Sequence, residues 1–303
     1  YSGLTTLKSN RSNHYQKLLL FGLGGQKSFA IGTLKIREIM SFTSLTQLPH
    51  SHPSVIGTLM FRGSAVPVID MAAAVGYRPL TAEECKTSSI IITDIQRKEI
   101  GFVVRSVDKI VEADWQQVQP PPSALGSRAF VTGLLDLEGQ LVQLLDVELL
   151  LSLVYPQSGD LASVVLTDVQ REALRAMNIL LVDDSKVARK QLSDVLDSKD
   201  IPYQVTSNGQ RALDTMLEAD RDQQPIHILV SDIEMPGLDG YELAFSVRDN
   251  PTLKVQPYII LHTSLNSEMS VSYATQVGAD EALTKFDADE LLQAMLRGAA
   301  EKS

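Results

Sequence analysis

The sequence has a single cysteine, Cys85, so no intramolecular disulfide can form and a reducing compartment, the cytosol, is expected. Long apolar runs are also missing. Residues 18–23 and 149–155 are the longest and fall far short of the ~18–20 residues that a membrane helix needs. The first fifteen residues are polar with no apolar core, so no secretory signal and no membrane insertion are expected. There is no phosphate loop of nucleotide-binding enzymes, no protein-kinase motif and no Gly-x-Ser-x-Gly elbow of esterases. The cluster Gly22-x-Gly24-Gly25 is not followed by a helical pattern, which argues against a dinucleotide site. His14, His50, His52, His227 and His262 show no metal-ligand spacing, and His262 is expected to be partly buried in a strand. Cys85 has no base partner in sight and reads as a small packing residue rather than a nucleophile.

What is present is ordinary globular material, 303 residues with 44% apolar and 21% charged, enough for about two domains. The charge is unevenly spread. Residues 1–155 carry 14 Lys+Arg against 13 Asp+Glu, and residues 156–303 carry 13 against 24. An acidic second half without a basic cluster argues against nucleic acid as its partner. It suits a cation site or a basic protein partner, although acidity alone also serves solubility.

The two halves differ in rhythm. In the second, short apolar runs at 178–183, 203–206, 226–231, 258–262 and 280–284 alternate with helical patterns at 186–199, 209–219, 241–247, 268–277 and from Asp287 onward. Asp287 and Glu290 have the spacing of a helix start. Alternation of this kind predicts a doubly wound parallel sheet between helices, with right-handed crossovers that bring every strand C-terminus to one edge. Ligands of open α/β sheets sit at that edge. The first half has many short β-branched segments, among them residues 18–23, 29–31, 55–59, 66–69, 89–94, 100–105 and 141–145. Turn signals at Gly24-Gly25, Arg62-Gly63, Pro120-Pro121-Pro122 and Glu138-Gly139-Gln140 separate them, and a helix at 146–154 closes the series. This pattern predicts an all-β double barrel. No internal repeat is visible. The expected organisation is an N-terminal extension at 1–14, an all-β domain at 15–155, a partly helical linker at 156–176 and an α/β domain at 177–303.

The chemistry lies at strand ends of the second half. Asp183 and Asp184 follow its first strand, Asp232 ends the third, Thr263 ends the fourth and Lys285 follows the fifth. Taken alone, Asp183-Asp184 is a surface acid pair, Asp232 a strand-end cap, Thr263 a cap and Lys285 a solvated amine. Brought to one edge, three carboxylates repel by about 4 kcal/mol per pair at ~4 Å near a protein surface. Such a cluster calls for a cation, and hard oxygen ligands on an open edge suit Mg²⁺. One carboxylate could then attack phosphorus and form an acyl phosphate, while a hydroxyl and an ammonium bind the phosphoryl oxygens.

These residues carry a resemblance. Leu181-Val182-Asp183-Asp184-Ser185, Ser231-Asp232-Ile233-Glu234-Met235-Pro236-Gly237-Leu238-Asp239-Gly240, His262-Thr263-Ser264 and Thr284-Lys285 together are similar to two-component receiver domains over residues 177–300. The resemblance implies a flavodoxin-like (βα)5 fold with Asp232 as phosphoacceptor. It implies Mg²⁺ held by Asp183, Asp184, Asp232 and the backbone carbonyl of Glu234, with Thr263 as switch hydroxyl and Lys285 as phosphoryl clamp. Gly237 and Gly240 flank the turn after the acceptor strand. Two positions depart from the family. Phe286 stands where the family has proline after the lysine, so a trans peptide is expected there. Ala282 stands where it has the switch aromatic, and Tyr273 offers no obvious substitute.

The segment 56–71, from Ile56-Gly57-Thr58 through Phe61-Arg62-Gly63-Ser64 to Ile69-Asp70-Met71, resembles the central hairpin of CheW-type chemotaxis coupling domains. Leu19-Phe21 with Phe29-Ala30-Ile31, Glu38-Ile39, Gly101-Phe102-Val103-Val104 with Val107-Asp108, and Phe130-Val131-Thr132-Gly133 extend the likeness over 15–155. It implies binding to a chemoreceptor cytoplasmic tip and to a chemotaxis histidine kinase. Arg62-Gly63 reads as a tight hairpin turn, with Arg62 either a solvated turn charge or a partner-binding residue. The two domains in this order resemble the CheV family. That resemblance implies a non-enzymatic cytoplasmic adaptor at receptor arrays, regulated by phosphorylation of Asp232. With Ser303 just past the last receiver helix, output is expected to run back through the linker and not into a DNA-binding helix-turn-helix. A phosphate sink that drains the kinase, and a pure adaptor with an inert receiver, are the other readings.

Overall fold

The structure is a computed structural model that describes residues 15–49, 53–114, 117–122, 130–154, 162–263 and 268–303. His14, His50, His52 and Ser264 lie outside the described residues. The chain divides into two compact units, Tyr1–Val154 and Tyr155–Ser303.

The first unit is built on two five-stranded sheets. One contains β1 (Tyr15–Gly22), β2 (Ser28–Gly32), β8 (Ser106–Asp114), β9 (Val131–Leu137) and β10 (Gln140–Leu145) in the order β8-β1-β2-β10-β9. The other contains β3 (Ile36–Ser41), β4 (Val55–Phe61), β5 (Ser64–Asp70), β6 (Ser89–Ile95) and β7 (Lys98–Val104) in the order β3-β6-β7-β5-β4. Each sheet has its own apolar cluster. Leu18, Leu20, Ala30, Leu135, Val142 and Leu144 fill the first, and Leu59, Val66, Val68, Ile90, Ile92 and Val103 the second. Short helices α1 (Met71–Ala74), α2 (Ala82–Lys86) and α3 (Val147–Val154) complete the unit.

The sequence shows no repeat, yet the two sheets share one pairing plan. β3 pairs antiparallel with β6 as β8 does with β1, and β6–β7 is a hairpin as β1–β2 is. β5 lies parallel to β7 as β10 does to β2, and β4–β5 is a hairpin as β9–β10 is. The isolated bridges match as well, Thr46 with Thr58 and Gln119 with Leu134. Both late hairpins turn on two residues of positive φ, Arg62 (48°) with Gly63 (83°) and Glu138 (51°) with Gly139 (83°), the turn whose twist fits a two-residue hairpin. Each then leads to an aspartate whose carboxylate accepts from a backbone N–H three residues on, Asp70 from Ala73 and Asp146 from Leu149. The plan is the same but cyclically permuted, because β1 and β2, first in the chain, take the places that β6 and β7, last in chain order, take in the other sheet.

The second unit has a parallel sheet of β11 (Ile179–Val182), β12 (Gln204–Thr206), β13 (Ile228–Asp232), β14 (Tyr258–Thr263) and β15 (Glu281–Thr284) in the order β12-β11-β13-β14-β15. That is the flavodoxin-like order expected for a doubly wound sheet. Strand side chains alternate between two cores. Ile179, Leu181, Ile228, Val230 and Ile260 pack with α5 (Lys186–Ser198) and α9 (Ala288–Lys302). Leu180, Val182, Leu229, Ile259 and Leu261 pack with α6 (Gly209–Arg221), α7 (Gly240–Asp249) and α8 (Glu268–Gln276). Burial on both faces explains why these strands read as continuous apolar runs. Within the stretch expected to link the domains, residues 162–177 with α4 (Asp168–Arg175) pack onto the first of these cores through Ala162, Leu166, Leu174 and Met177.

Candidate functional site

Parallel pairing sets the site. β13 faces β14 with Asp232 opposite His262, and β14 faces β15 with Thr263 opposite Thr284. Asp183 and Asp184 leave the end of β11 and Lys285 leaves the end of β15, so four separate connections deliver the five residues to one edge. Asp183, Asp232, Thr263 and Lys285 are buried, and Asp184 is half-buried. Carboxylate oxygens of Asp183, Asp184 and Asp232 lie within 4.8 Å of one another. The Lys285 ammonium stands 2.6 Å from Asp183 Oδ2 and 3.2 Å from Asp232 Oδ1. The lysine, which on its own would be solvated, is thus 2% exposed and stands between two acids.

The surrounding backbone is held by specific bonds. The Ser185 N–H donates to Asp183 Oδ1 at 2.9 Å, and Ser185 caps α5. Arg189, one turn later, donates to the backbone carbonyls of Asp183 and Asp184 at 2.7 and 3.0 Å. Sequence reading passed over Arg189, although its place four residues after the cap Ser185 is a usable signal. Lys285 N–H donates to Thr263 O at 2.5 Å. Gly240 is required sterically, because a Cβ there would stand 2.2 Å from Asp232 O. Gly237 adopts a φ of 81°. Beside them Asp239 caps α7 by accepting from the Glu242 N–H at 2.8 Å, and burial pushes its carboxyl up to about 7.

Several expectations need correction. The Lys285–Phe286 peptide is cis even though no proline follows the lysine. His262 is fully buried, with its ring centroid 5.9 Å from that of Phe286. At the same edge, Thr263 Oγ1 donates to Glu234 Oε1 at 3.3 Å. Ala282 is half-buried against the core that holds Tyr241 and Tyr273, whose rings meet edge to face at 4.6 Å.

In the first unit, Arg62 is exposed at the tip of its hairpin, 3.5 Å from Glu38 and 5.0 Å over the Phe61 ring. Met60 beside it is 70% exposed. Cys85 is half-buried, and burial pushes its thiol up. Among the described residues, no helix is long and apolar enough to cross a membrane.

Comparison with known proteins agrees with this geometry. Residues 17–154 match the CheW-like domain and residues 179–296 the response regulator receiver domain. The chain is 26% identical to chemotaxis protein CheV1 of Helicobacter pylori over 309 residues, covering 96% of this chain and 95% of that protein. It is 31% identical to a probable chemotaxis protein CheW of Rhizobium etli, over 45% of this chain and 88% of that protein. It is 36% identical to a probable chemotaxis protein CheY of the same organism, over 36% of this chain and 81% of that protein. With both units matched, and a CheV protein aligned along nearly the whole length, this chain belongs to the CheV-type chemotaxis proteins, non-enzymatic signalling adaptors in which a CheW-like domain precedes a receiver domain.

Proposed function

We propose that the first domain couples chemoreceptors to a chemotaxis histidine kinase at receptor arrays in the cytosol, and that phosphorylation of Asp232 regulates this coupling. The observation that carries the regulatory half is the set of Asp183, Asp184, Asp232 and Lys285 at one sheet edge, all but Asp184 buried. Three carboxylates and one ammonium leave a formal charge of about −2 around hard oxygen donors, which fits a divalent cation such as Mg²⁺. Asp183, Asp184, Asp232 and the backbone carbonyl of Glu234 would hold it, and bound there it would offset the charge of the phosphoryl oxygens.

In the transfer, an oxygen of the Asp232 carboxylate attacks phosphorus of the donor's phosphohistidine. The O–P bond forms as the P–N bond breaks, and the imidazole leaves with the electron pair and takes up a proton. Lys285, already between Asp183 and Asp232, supplies a charge-assisted hydrogen bond to a phosphoryl oxygen, and Thr263 Oγ1 supplies a second after leaving Glu234. Water later attacks phosphorus, inorganic phosphate departs and the carboxylate is restored. In the first domain, the exposed Arg62 and Met60 at the Arg62-Gly63 turn suit a protein contact.

A phosphate sink is the second reading, and Ala282 favours it. Without an aromatic at that position, movement of Thr263 has no large ring to displace. The deciding experiment transfers ³²P from a phosphorylated chemotaxis kinase, with Mg²⁺, to the full chain and to Asp232→Ala. Label on the wild type alone is expected, with transfer to the variant reduced at least ~100-fold. Label on neither removes phosphorylation from the mechanism. Equal receptor and kinase affinities with and without phosphodonor would leave the sink.

A further inference from the structure

The segment 162–177 has two kinds of attachment to the receiver unit. Its apolar side chains Leu166, Leu174 and Met177 are buried against α5 and α9. At its start the hold is polar, because the Asp289 carboxylate accepts from the Ser163 hydroxyl and, at 2.9 Å, from the Val164 N–H. The hydrogen bond from Ser163, then that from Val164, hold the Asp289 carboxyl below its ordinary range, so the clasp is made with a charged acceptor. At its far end Arg175 donates to the Asp200 backbone carbonyl and carboxylate at 2.6 and 2.7 Å. The outer side is bare, with Val165 86% and Val169 80% exposed.

Asp289 lies in the first turn of α9, four residues after Lys285. Between them Phe286 packs on the same core that buries the segment, and its ring meets His262. The site and the clasp are therefore joined by one short stretch of chain in which Lys285 and Ala288 are buried and Phe286 packs on the core. Lys285 binds Asp183 and Asp232, and a phosphoryl group on Asp232 gives its ammonium a new acceptor farther out from the edge. Packed elements respond to such a pull by shifting between discrete arrangements more readily than by continuous bending.

We propose that residues 162–177 form a strap clasped to the start of α9 by Asp289, and that acceptance of a phosphoryl group by Asp232 opens the clasp. The inference rests on the reading of Asp232 as phosphoacceptor. The strap lies between the receiver sheet and the CheW-like domain along the chain, so opening it frees residues 162–177 from the receiver core. This gives the receiver an output that needs no switch aromatic at position 282.

Hydrogen–deuterium exchange on the full chain tests this, with Mg²⁺ and with or without beryllofluoride as the phosphoryl mimic. Peptides covering 228–240 are expected to slow, reporting occupancy at Asp232, while those covering 162–176 exchange about tenfold faster. Asp289→Ala removes the clasp and Ser163→Ala removes one of its two hydrogen bonds, both without touching the acceptor site. In Asp289→Ala, 162–176 is expected to exchange fast before any addition and to change little afterwards, with Ser163→Ala intermediate, while 228–240 slows in both as in the wild type. Slowing of 228–240 with unchanged or slower exchange at 162–176 in the wild type overturns the strap proposal alone. Unaltered exchange of 162–176 in both variants also overturns it. No response of 228–240 in the wild type overturns the acceptor reading, and the strap proposal falls with it.

Discussion

The two domains put their candidate functional residues in opposite places. In the receiver, Asp183, Asp232, Thr263 and Lys285 are at most 3% exposed and hold one another in position. In the CheW-like domain the buried carboxylates Asp70 and Asp146 serve helix starts, and the residues suited to contact, Met60 and Arg62, stand out at a hairpin tip. A group that does chemistry on a small ion needs exclusion of water and fixed geometry, whereas a group that meets another protein needs exposure. Substitutions should therefore couple stability to function in one domain and separate them in the other.

The largest effect expected is at Lys285. Replacing it with methionine leaves buried carboxylates facing one another without their ammonium, and should cost the receiver roughly 3–5 kcal/mol in metal-free solution. Calorimetry should show the receiver transition falling while that of the CheW-like domain stays, and added Mg²⁺ restoring part of the loss. A fall in both transitions would break the comparison.

Asp239 sharpens it through pH. Burial raises its carboxyl to about 7 in the folded state, above the ~3.9 of an unfolded aspartate. A raised acid binds its proton more tightly when folded, so receiver stability declines as pH rises from ~4 toward 7. Asp239→Asn keeps a capping oxygen and carries no charge to bury. It should flatten that decline, gaining about 2–4 kcal/mol at pH 8 over the wild type in urea titrations.

Smaller effects test the duplicated plan of the first domain. Asp70→Ala and Asp146→Ala should each cost about 1–2 kcal/mol. Asp70 also accepts from the Leu80 N–H at 2.8 Å through its second oxygen. A loss at one aspartate with none at the other would show that the shared topology is not shared energetics. The smallest effect is expected at Arg62. Its contact with Glu38 is exposed, so Arg62→Ala should change stability by less than ~0.5 kcal/mol, while co-sedimentation with receptor and kinase drops severalfold.

The receiver was legible because β11, β13 and β14 are buried along their whole length and the first two run into acids, a pattern that survives without any knowledge of packing. The first domain was legible only in part. β8 carries Asp108, Lys109 and Glu112, and most of its residues are exposed, so no apolar alternation marks it. β3, with Arg37 and Glu38 among its six residues, lies at the edge of its sheet for the same reason. The duplication was hard to see because the matching hairpins share a burial pattern over few identical residues, and because one copy is cut and rejoined. Within the site, side-chain direction was the missing information. Sequence placed Glu234 and Phe286 correctly along the chain, but the Glu234 bond to Thr263 and the packing of Phe286 on His262 depend on which way each residue turns.

The cyclic permutation of the first domain has a consequence for biosynthesis. β3 to β7 are contiguous in the chain, so their sheet can close as soon as Val104 has emerged from the ribosome. β1 and β2 are made first, yet their partner β8 follows that whole sheet and β10 ends only at Leu145. Roughly 110 residues separate the end of β2 from the end of β10, so at about 5–20 residues per second the β2 edge of the first hairpin waits on the order of 5–20 s for its partner. Its apolar face, from Leu18 to Phe21, is therefore the part of the nascent chain most in need of a chaperone.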